Sequence, residues 1–317
     1  MHSPVVTSTG RDLRLDLFRG LALWLIFLDH IPSNVVSWIT IRNYGFSDAT
    51  EIFIFISGYT AAFVYGRAML ERGFVVAGAR ILKRAWQIYV AHIFLFAIYL
   101  AEISYVATSF ENPLYAEEMN ILDFLKQPDQ TIVQALLLKF KPANMDVLPL
   151  YIVLMLVFPP VLWALLRKPN LTLFASFALY IAARYFGWNL SAYPSGTWYF
   201  NPFTWQFLFV IGAWFALGGT GKSMPLVQSR WLTILGTAYL LFALFVTLGG
   251  RFLDMADILP HWLYVAFIPN DKTNLRSVTC RAFHHRHFLH YQVRAARLGW
   301  IRASDLPAND PLWAAIA

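Results

Sequence analysis

Runs of about 20 mostly apolar residues recur along this chain, each long enough to cross the roughly 30 Å hydrocarbon core of a bilayer as a helix. They fall near residues 13–32, 49–70, 85–106, 145–167, 170–188, 200–218 and 230–250, with a shorter one near 256–269. Backbone amides find no water inside a bilayer, so such runs must be helices that satisfy their own hydrogen bonds. Composition agrees. Of 317 residues, 58% are hydrophobic and 14% charged, against roughly 45–50% and about 25% in soluble domains. At a mean hydropathy of +0.51 there is too little polar surface to cover a water-soluble globule. That excludes a soluble enzyme, a disordered chain and a secreted disulfide scaffold. The one cysteine, Cys280, excludes an internal disulfide and a cysteine-based metal cluster. The expected fold is an all-α polytopic membrane protein with about eight transmembrane helices.

Charge gives the expected orientation. The loop 67–84 carries Arg67, Arg72, Arg80, Lys83 and Arg84 against Glu71, while Arg167, Lys168, Lys222 and Arg230 follow the fourth and sixth runs. With Arg11 and Arg14 they share one side if the spans alternate, which the positive-inside rule makes cytoplasmic. The longest opposite loop, 107–144, carries Glu111, Glu117, Glu118, Asp123 and Asp129, as expected outside. No small-residue cleavage site follows the first run, so it reads as a retained span rather than a signal peptide. The net charge of +7 forms no basic stripe suited to nucleic acid; topology explains it more simply.

Ionisable residues inside a span are costly and point to function by default. The first run holds Asp16, Arg19 and His30. Arg19 and His30 are eleven residues apart, so on a helix they lie within about 20° of one face and about 16 Å apart along its axis. Asp16 stands one turn before Arg19, at the spacing that pairs a carboxylate with a guanidinium. The plainer reading is that Arg19 snorkels, Asp16 neutralises it and His30 ends the helix before Pro32. In the second run, Asp48-x-x-Glu51 fits a capping box and Ser57-Gly58 a packing notch. Alternatively, Glu51 begins near the level of His30 and orients its imidazole. Arg80, Lys83 and Arg84 open the third run, either as topology anchors or as a cytoplasmic dock for a phosphate-bearing ligand. Asn201, Trp205 and Gln206 lie near the outer end of the sixth run, where aromatic packing and sugar-hydroxyl binding are both open readings. Asp254, Asp257 and His261 share a helix face; an acceptor contact there is preferred to a metal site.

Arg19-x10-His30 followed by Phe55-Ile-Ser-Gly-Tyr59 resembles the pattern of membrane acyltransferase family 3. More closely, the ordered stretches Leu15–Gly20, Ser47–Gly66, Arg80–Tyr89, Met145–Pro160, Asn201–Ala213 and Pro269–Leu275 are similar to the OpgC-type succinyltransferases of osmoregulated periplasmic glucans. The resemblance implies an inner-membrane bundle of roughly ten spans of bilayer length. It also implies transfer of an acyl group, succinyl in this branch, from cytoplasmic coenzyme A thioester to a glucan hydroxyl outside. No tightly bound cofactor is implied; acyl-CoA is the donor substrate, the glucan the acceptor and the bilayer the remaining partner. His30 becomes the catalytic imidazole, supported by Arg19, Asp16 and Glu51. Arg80, Lys83 and Arg84 become donor-binding, and Asn201, Trp205 and Gln206 acceptor-binding. A non-catalytic transporter or export partner with the same fold is the competing reading.

The resemblance spans nearly all of 12–275, and residues 1–275 read as an acyltransferase domain incomplete at its C-terminal end. Residues 276–317 differ in kind, with six arginines, no lysine, two aspartates and four of the chain's eight histidines. No span-length apolar run occurs there, and the segment reads as a non-family tail translated out of frame. With the N-terminus inside, an impermeant thiol reagent applied to intact cells is expected to label a cysteine placed at 117 and not one at 75. The reverse pattern inverts the orientation.

Overall fold

The computed structural model describes residues 13–31, 34–109, 113–218, 229–252 and 272–275. All belong to the first of two compact units, 1–255 with 271–277; the second, 256–270 with 278–317, lies outside the described residues. So do the shorter apolar run near 256–269, the Asp254, Asp257 and His261 trio and the 276–317 tail.

Among the described residues every regular element is a helix. The long ones are α1 (Leu13–Asp29), α2 (Ala49–Ser109), α6 (Val147–Arg167), α7 (Pro169–Phe186), α8 (Pro202–Ala216) and α9 (Arg230–Phe252). Between α2 and α6 lie three short helices: α3 (Pro113–Glu118), α4 (Leu122–Lys126) and α5 (Pro128–Leu136). Two 3-10 turns, Val35–Ile39 and Ile41–Asn43, join α1 to α2.

The expected loop at 67–84 is instead largely helical. Its sequence is rich in Ala and Arg and free of proline, so helical hydrogen bonding runs through most of it, helped by the exposed Arg67–Glu71 pair at 2.7 Å. Only Gly73 breaks it, at φ 82° and ψ 172°, a region glycine adopts without steric cost. Arg84 lies within electrostatic reach of Tyr65. Nineteen residues of straight helix would separate them by about 28 Å, so the two arms of α2 fold back at Gly73. The second and third expected spans thus lie on the two arms of α2, parted at Gly73. Three helices are long and apolar enough to cross a membrane among the described residues: α2, α6 and Arg230–Leu248 of α9. At 17 and 15 residues, α1 and α8 are shorter than the roughly 20 residues a full span needs. The expected count of about eight is therefore not reproduced by length and apolarity alone.

Both arms of α2 pack with α6 and α8 around one core, centred on Ile54, Ile81, Met155, Phe158, Trp205 and Phe209. The closest approach is between α2 and α8. A Cβ at Gly58 would overlap the carbonyl oxygen of Phe209, and one at Gly212 the carbonyl oxygen of Phe55. Ser57-Gly58 is therefore a packing notch, as the plainer reading had it. A smaller core (Phe96, Leu100, Ile103, Ile121, Ala135 and Phe140) seats the short helices against the second arm of α2.

Gly58→Ala and Gly212→Ala each drive a methyl into backbone that cannot rotate away. Each is expected to cost at least about 3 kcal/mol, the upper end for overpacking, seen as a lowered melting temperature and loss of the monodisperse peak in detergent. Unchanged melting in both would mean that the helices do not cross there.

Candidate functional site

The start of α2 forms the capping box its sequence suggests. The Asp48 amide donates to Glu51 Oε2 at 2.9 Å, and the Thr50 amide donates to Asp48 Oδ1 at 2.7 Å. Lys272, 221 residues further on, donates from Nζ to Glu51 Oε1 at 2.7 Å and lies 3.1 Å from Asp48 Oδ2. Each of the three side chains is about one-fifth exposed, so this ion triad is screened less than a surface pair. Burial works to raise the Asp48 carboxyl, but its interaction with Glu51, the Lys272 ammonium and the Thr50 amide hold it below the aspartate range. Burial works to lower Lys272, and the Glu51 and Asp48 carboxylates outweigh it and raise the ammonium.

Segment 272–275 is also held by the start of α8. Asn201 caps that helix by accepting from the Phe203 amide at 3.0 Å, as an N-cap asparagine should. Its Nδ2 donates to Trp188 O at 2.7 Å and to Asn274 Oδ1 at 3.1 Å. The Asn201 amide donates to Thr273 O at 3.0 Å, Trp205 Nε1 to Lys272 O at 3.0 Å, and Tyr180 OH to Leu275 O at 3.3 Å. Gln206 instead faces α7, donating to Ser176 O at 2.9 Å and accepting from Ser176 Oγ at 2.6 Å. The structure thus engages Asn201, Trp205 and Gln206 in internal hydrogen bonds. Asn201 and Trp205 are buried and hold the 272–275 strap; Gln206 joins α8 to α7.

His30 follows the last residue of α1 and is exposed. Its Nδ1 lies 2.6 Å from Ile26 O. A carbonyl can only accept, so Nδ1 carries the proton and the neutral ring keeps its lone pair on Nε2. The residue beside it is anchored: Thr40 Oγ1 donates to the Asp29 carboxylate, and Arg42 Nη1 donates to Asp29 O at 3.3 Å. Arg42 in turn acts electrostatically on Tyr199, together with Lys272, Asp48 and Asp146. Arg42, held at the end of α1, and the ion triad therefore both lie within electrostatic reach of the 198–201 segment. Glu51 is bonded to Asp48 and Lys272 rather than to His30.

The unbroken α1 keeps Arg19 on the helix that ends at His30. Arg19 Nε is buried without a hydrogen-bond partner, and Asp16 on the same helix is half-buried. Arg19 and Arg84 both lie within electrostatic reach of Tyr65 and Tyr151, so the two guanidinium groups share one neighbourhood. Arg80 and Lys83 are exposed on the same arm of α2 as Arg84. Tyr151 packs edge-on against Phe53 at 6.1 Å between ring centroids, two residues from Glu51. It thereby joins the arginine neighbourhood to the start of α2.

Sequence reasoning missed two features. Lys272 lay in a stretch quoted only for its resemblance, and nothing local marks its distant partners. The second is a buried group around Lys141. Its Nζ stands 3.7 Å from the centroid of the Trp198 ring and 3.8 Å from Asp146 Oδ1. Lys141 Nζ, Trp198 Nε1 and His92 Nδ1 are all buried without hydrogen-bond partners. Burial lowers Lys141 to about 8 against the pull of Asp146, and raises Asp146 to about 6 against the pull of Lys141. At 3.8 Å the attraction is too weak to offset desolvation. The lysine fell in the loop assigned outside, and the histidine within an apolar run, so neither stood out.

Comparison with known proteins gives one family match, to the model described as OpgC protein, over residues 11–311. The matched range continues past Leu275 into the Arg/His-rich segment. No curated protein and no solved structure matches the chain.

Removing the Lys272 ammonium leaves two neighbouring carboxylates without a cation. Lys272→Met is expected to cost about 3 kcal/mol, and adding Glu51→Gln should recover part of it. Asp48 and Lys272 each set one edge of the pH dependence. Asp48 is held below its ordinary value of 3.8, so its contribution is complete above that pH and lost as pH falls below it. Lys272 is held above its ordinary 10.5, so its contribution is complete below that pH and lost as pH rises through the higher folded value. Melting measured from pH 3 to 11 for wild type and Lys272→Met checks this; parallel curves would show that the triad does not anchor the strap.

Proposed function

This chain belongs to the OpgC protein family, and on that premise we propose that it is an integral membrane O-acyltransferase. It moves a succinyl group from acyl-CoA on the cytoplasmic side to a hydroxyl of a periplasmic glucan. It sits in the bacterial inner membrane with its N-terminus inside. The observation that carries the reading is the His30 ring, exposed at the end of α1 with Nδ1 bonded to Ile26 O.

A sugar hydroxyl is a weak nucleophile at neutral pH, and a positioned imidazole is the usual remedy. The acceptor O–H donates to Nε2 of His30. As its oxygen bonds to the thioester carbonyl carbon, Nε2 takes the proton. The carbon–sulfur bond then breaks, and the proton passes from His30 to the departing thiolate. Atoms and charge balance without a further reactant. Arg19 and Arg84, in one neighbourhood about Tyr65 and Tyr151, supply positive charge for the donor, with Arg80 and Lys83 taking its phosphates at the inner end. Asp16 supports Arg19 from the preceding turn. Asn201 and Trp205 act by holding the strap that bears Lys272, so they shape the acceptor rim rather than line it. Glu51 does the same through its bond to Lys272.

His30→Ala is expected to insert and melt normally and to lower acyl transfer by at least about 100-fold, the scale of a lost general base. Mass spectrometry of periplasmic glucans, with the variant supplied in place of the wild type, reads the result. Arg19→Lys is expected to retain charge yet lose most donor affinity, because an ammonium lacks the guanidinium fork. Full glucan acylation in His30→Ala would remove the imidazole from the chemistry and favour the export-partner reading.

A further inference from the structure

The group around Lys141 has no part in the reaction as set out above, yet it gathers groups that proteins seldom bury unpaired. Lys141 is 8% exposed, Trp198 3% and His92 1%. Buried polar atoms without partners cost free energy, and each such atom calls for an explanation. Three such atoms lie on the second arm of α2 (His92), in the loop before α6 (Lys141) and in the segment before α8 (Trp198), with Lys141 against the Trp198 ring and His92 within electrostatic reach of Lys141. The Lys141 ammonium lies on the face of the Trp198 ring, an arrangement that offers attraction without using an N–H. Asp146, at 3.8 Å, is beyond hydrogen-bond range of it.

We propose that Lys141, the indole N–H of Trp198 and the imidazole of His92 form a subsite for one carboxylate, the free carboxylate of a dicarboxylic acyl group. This rests on the acyl-transfer reading. It adds the selection of succinyl over uncharged acyl groups of similar size.

The chemistry singles out a carboxylate. Lys141 and Asp146 together carry no net charge, and one ammonium suits a monoanion; a phosphate dianion calls for several cations or an arginine fork. Two carboxylates about one half-buried ammonium is an arrangement this molecule already uses, at Asp48, Glu51 and Lys272. With Asp146 raised to about 6, a second carboxylate nearby is tolerated by proton uptake at Asp146. The side chain of Asp146 is 21% exposed against 5% for Lys141, so the group opens on the Asp146 side. Placement fits as well. Trp198 precedes Tyr199, which senses Asp146 together with Asp48 and Lys272. The proposed subsite therefore lies within electrostatic reach of the ion triad and of Arg42 at the end of α1, the end to which the acyl carbonyl must be delivered.

The test uses the full chain in detergent with two probes, monomethyl succinate and dimethyl succinate, which differ by one charge. Monomethyl succinate is expected to raise the melting temperature of the wild type, and dimethyl succinate to leave it unchanged. Trp198→Phe keeps a ring under the ammonium and removes only the N–H; it should weaken the monoester response roughly tenfold, the scale of one hydrogen bond to a charged group. Lys141→Met should abolish the response, and Lys141→Arg should retain part of it. In transfer assays, Lys141→Met should lower succinyl relative to butyryl transfer roughly 100-fold, the scale of removing one partner from a buried charge pair. Equal binding of the two esters by the wild type overturns the subsite, as does equal loss of succinyl and butyryl transfer in Trp198→Phe. Absence of any transfer by a wild type that still prefers the monoester counts against the reaction and not against the carboxylate site.

Discussion

The contact between α2 and α8 at Gly58 and Gly212 fixes the rest of the structure. Two helices whose side chains interlock settle about 8–10 Å apart. At these glycines the backbones come closer than any Cβ allows. In a bilayer, where lipid tails are as apolar as leucine, close backbone packing of this kind is a main source of helix association. The crossing sets the depth of α8 against α2. It therefore sets the distance between Asn201, at the start of one helix, and Asp48 and Glu51, at the start of the other.

Lys272 bridges those two helix starts. Its backbone carbonyl accepts from Trp205 of α8, and its ammonium binds both acidic groups at the start of α2. An N-cap carboxylate and a first-turn glutamate are already favoured by the exposed amides and dipole of a helix start. The lysine therefore adds a long-range tie to carboxylates that local structure had already ordered. That lowers the conformational entropy lost on making the bond. The tie carries residues 272–275 across the end of the bundle from a point 221 residues distant along the chain.

Much of this was legible in the sequence, for identifiable reasons. Helix identity, the capping box at Asp48 and Glu51 and the notch at Ser57-Gly58 all depend on spacings of a few residues along one helix. They hold whatever packs around them. Charge placed the turn between the second and third runs within 67–84; the structure narrows it to Gly73 and keeps the flanking residues helical, since the segment lacks the proline or paired glycines that stop a helix. The acceptor roles assigned to Asn201, Trp205 and Gln206 came from residue type alone. Their hydrogen bonds run to Asn274, Lys272 and Ser176, up to 73 residues away, and no local pattern encodes such partners. Lys141 and His92 were missed for a related reason. A lone lysine in a loop and a lone histidine in an apolar run each look ordinary until the fold buries them together.

Lys141 and Lys272 show how one residue type takes two states in one protein. Lys272 makes a 2.7 Å bond to one carboxylate and a 3.1 Å contact to another, and its ammonium is raised. Lys141 has one carboxylate at 3.8 Å and an aromatic face, and its ammonium is lowered to about 8. Desolvation acts on both, so the difference comes from the number and distance of anionic oxygens. A lysine with its counter-ions in place holds structure together and gains little from a further anion. One with a single distant counter-ion, and unpartnered donors beside it, gains most when an anion arrives. The strap therefore belongs with the first kind of lysine, and ligand selection with the second.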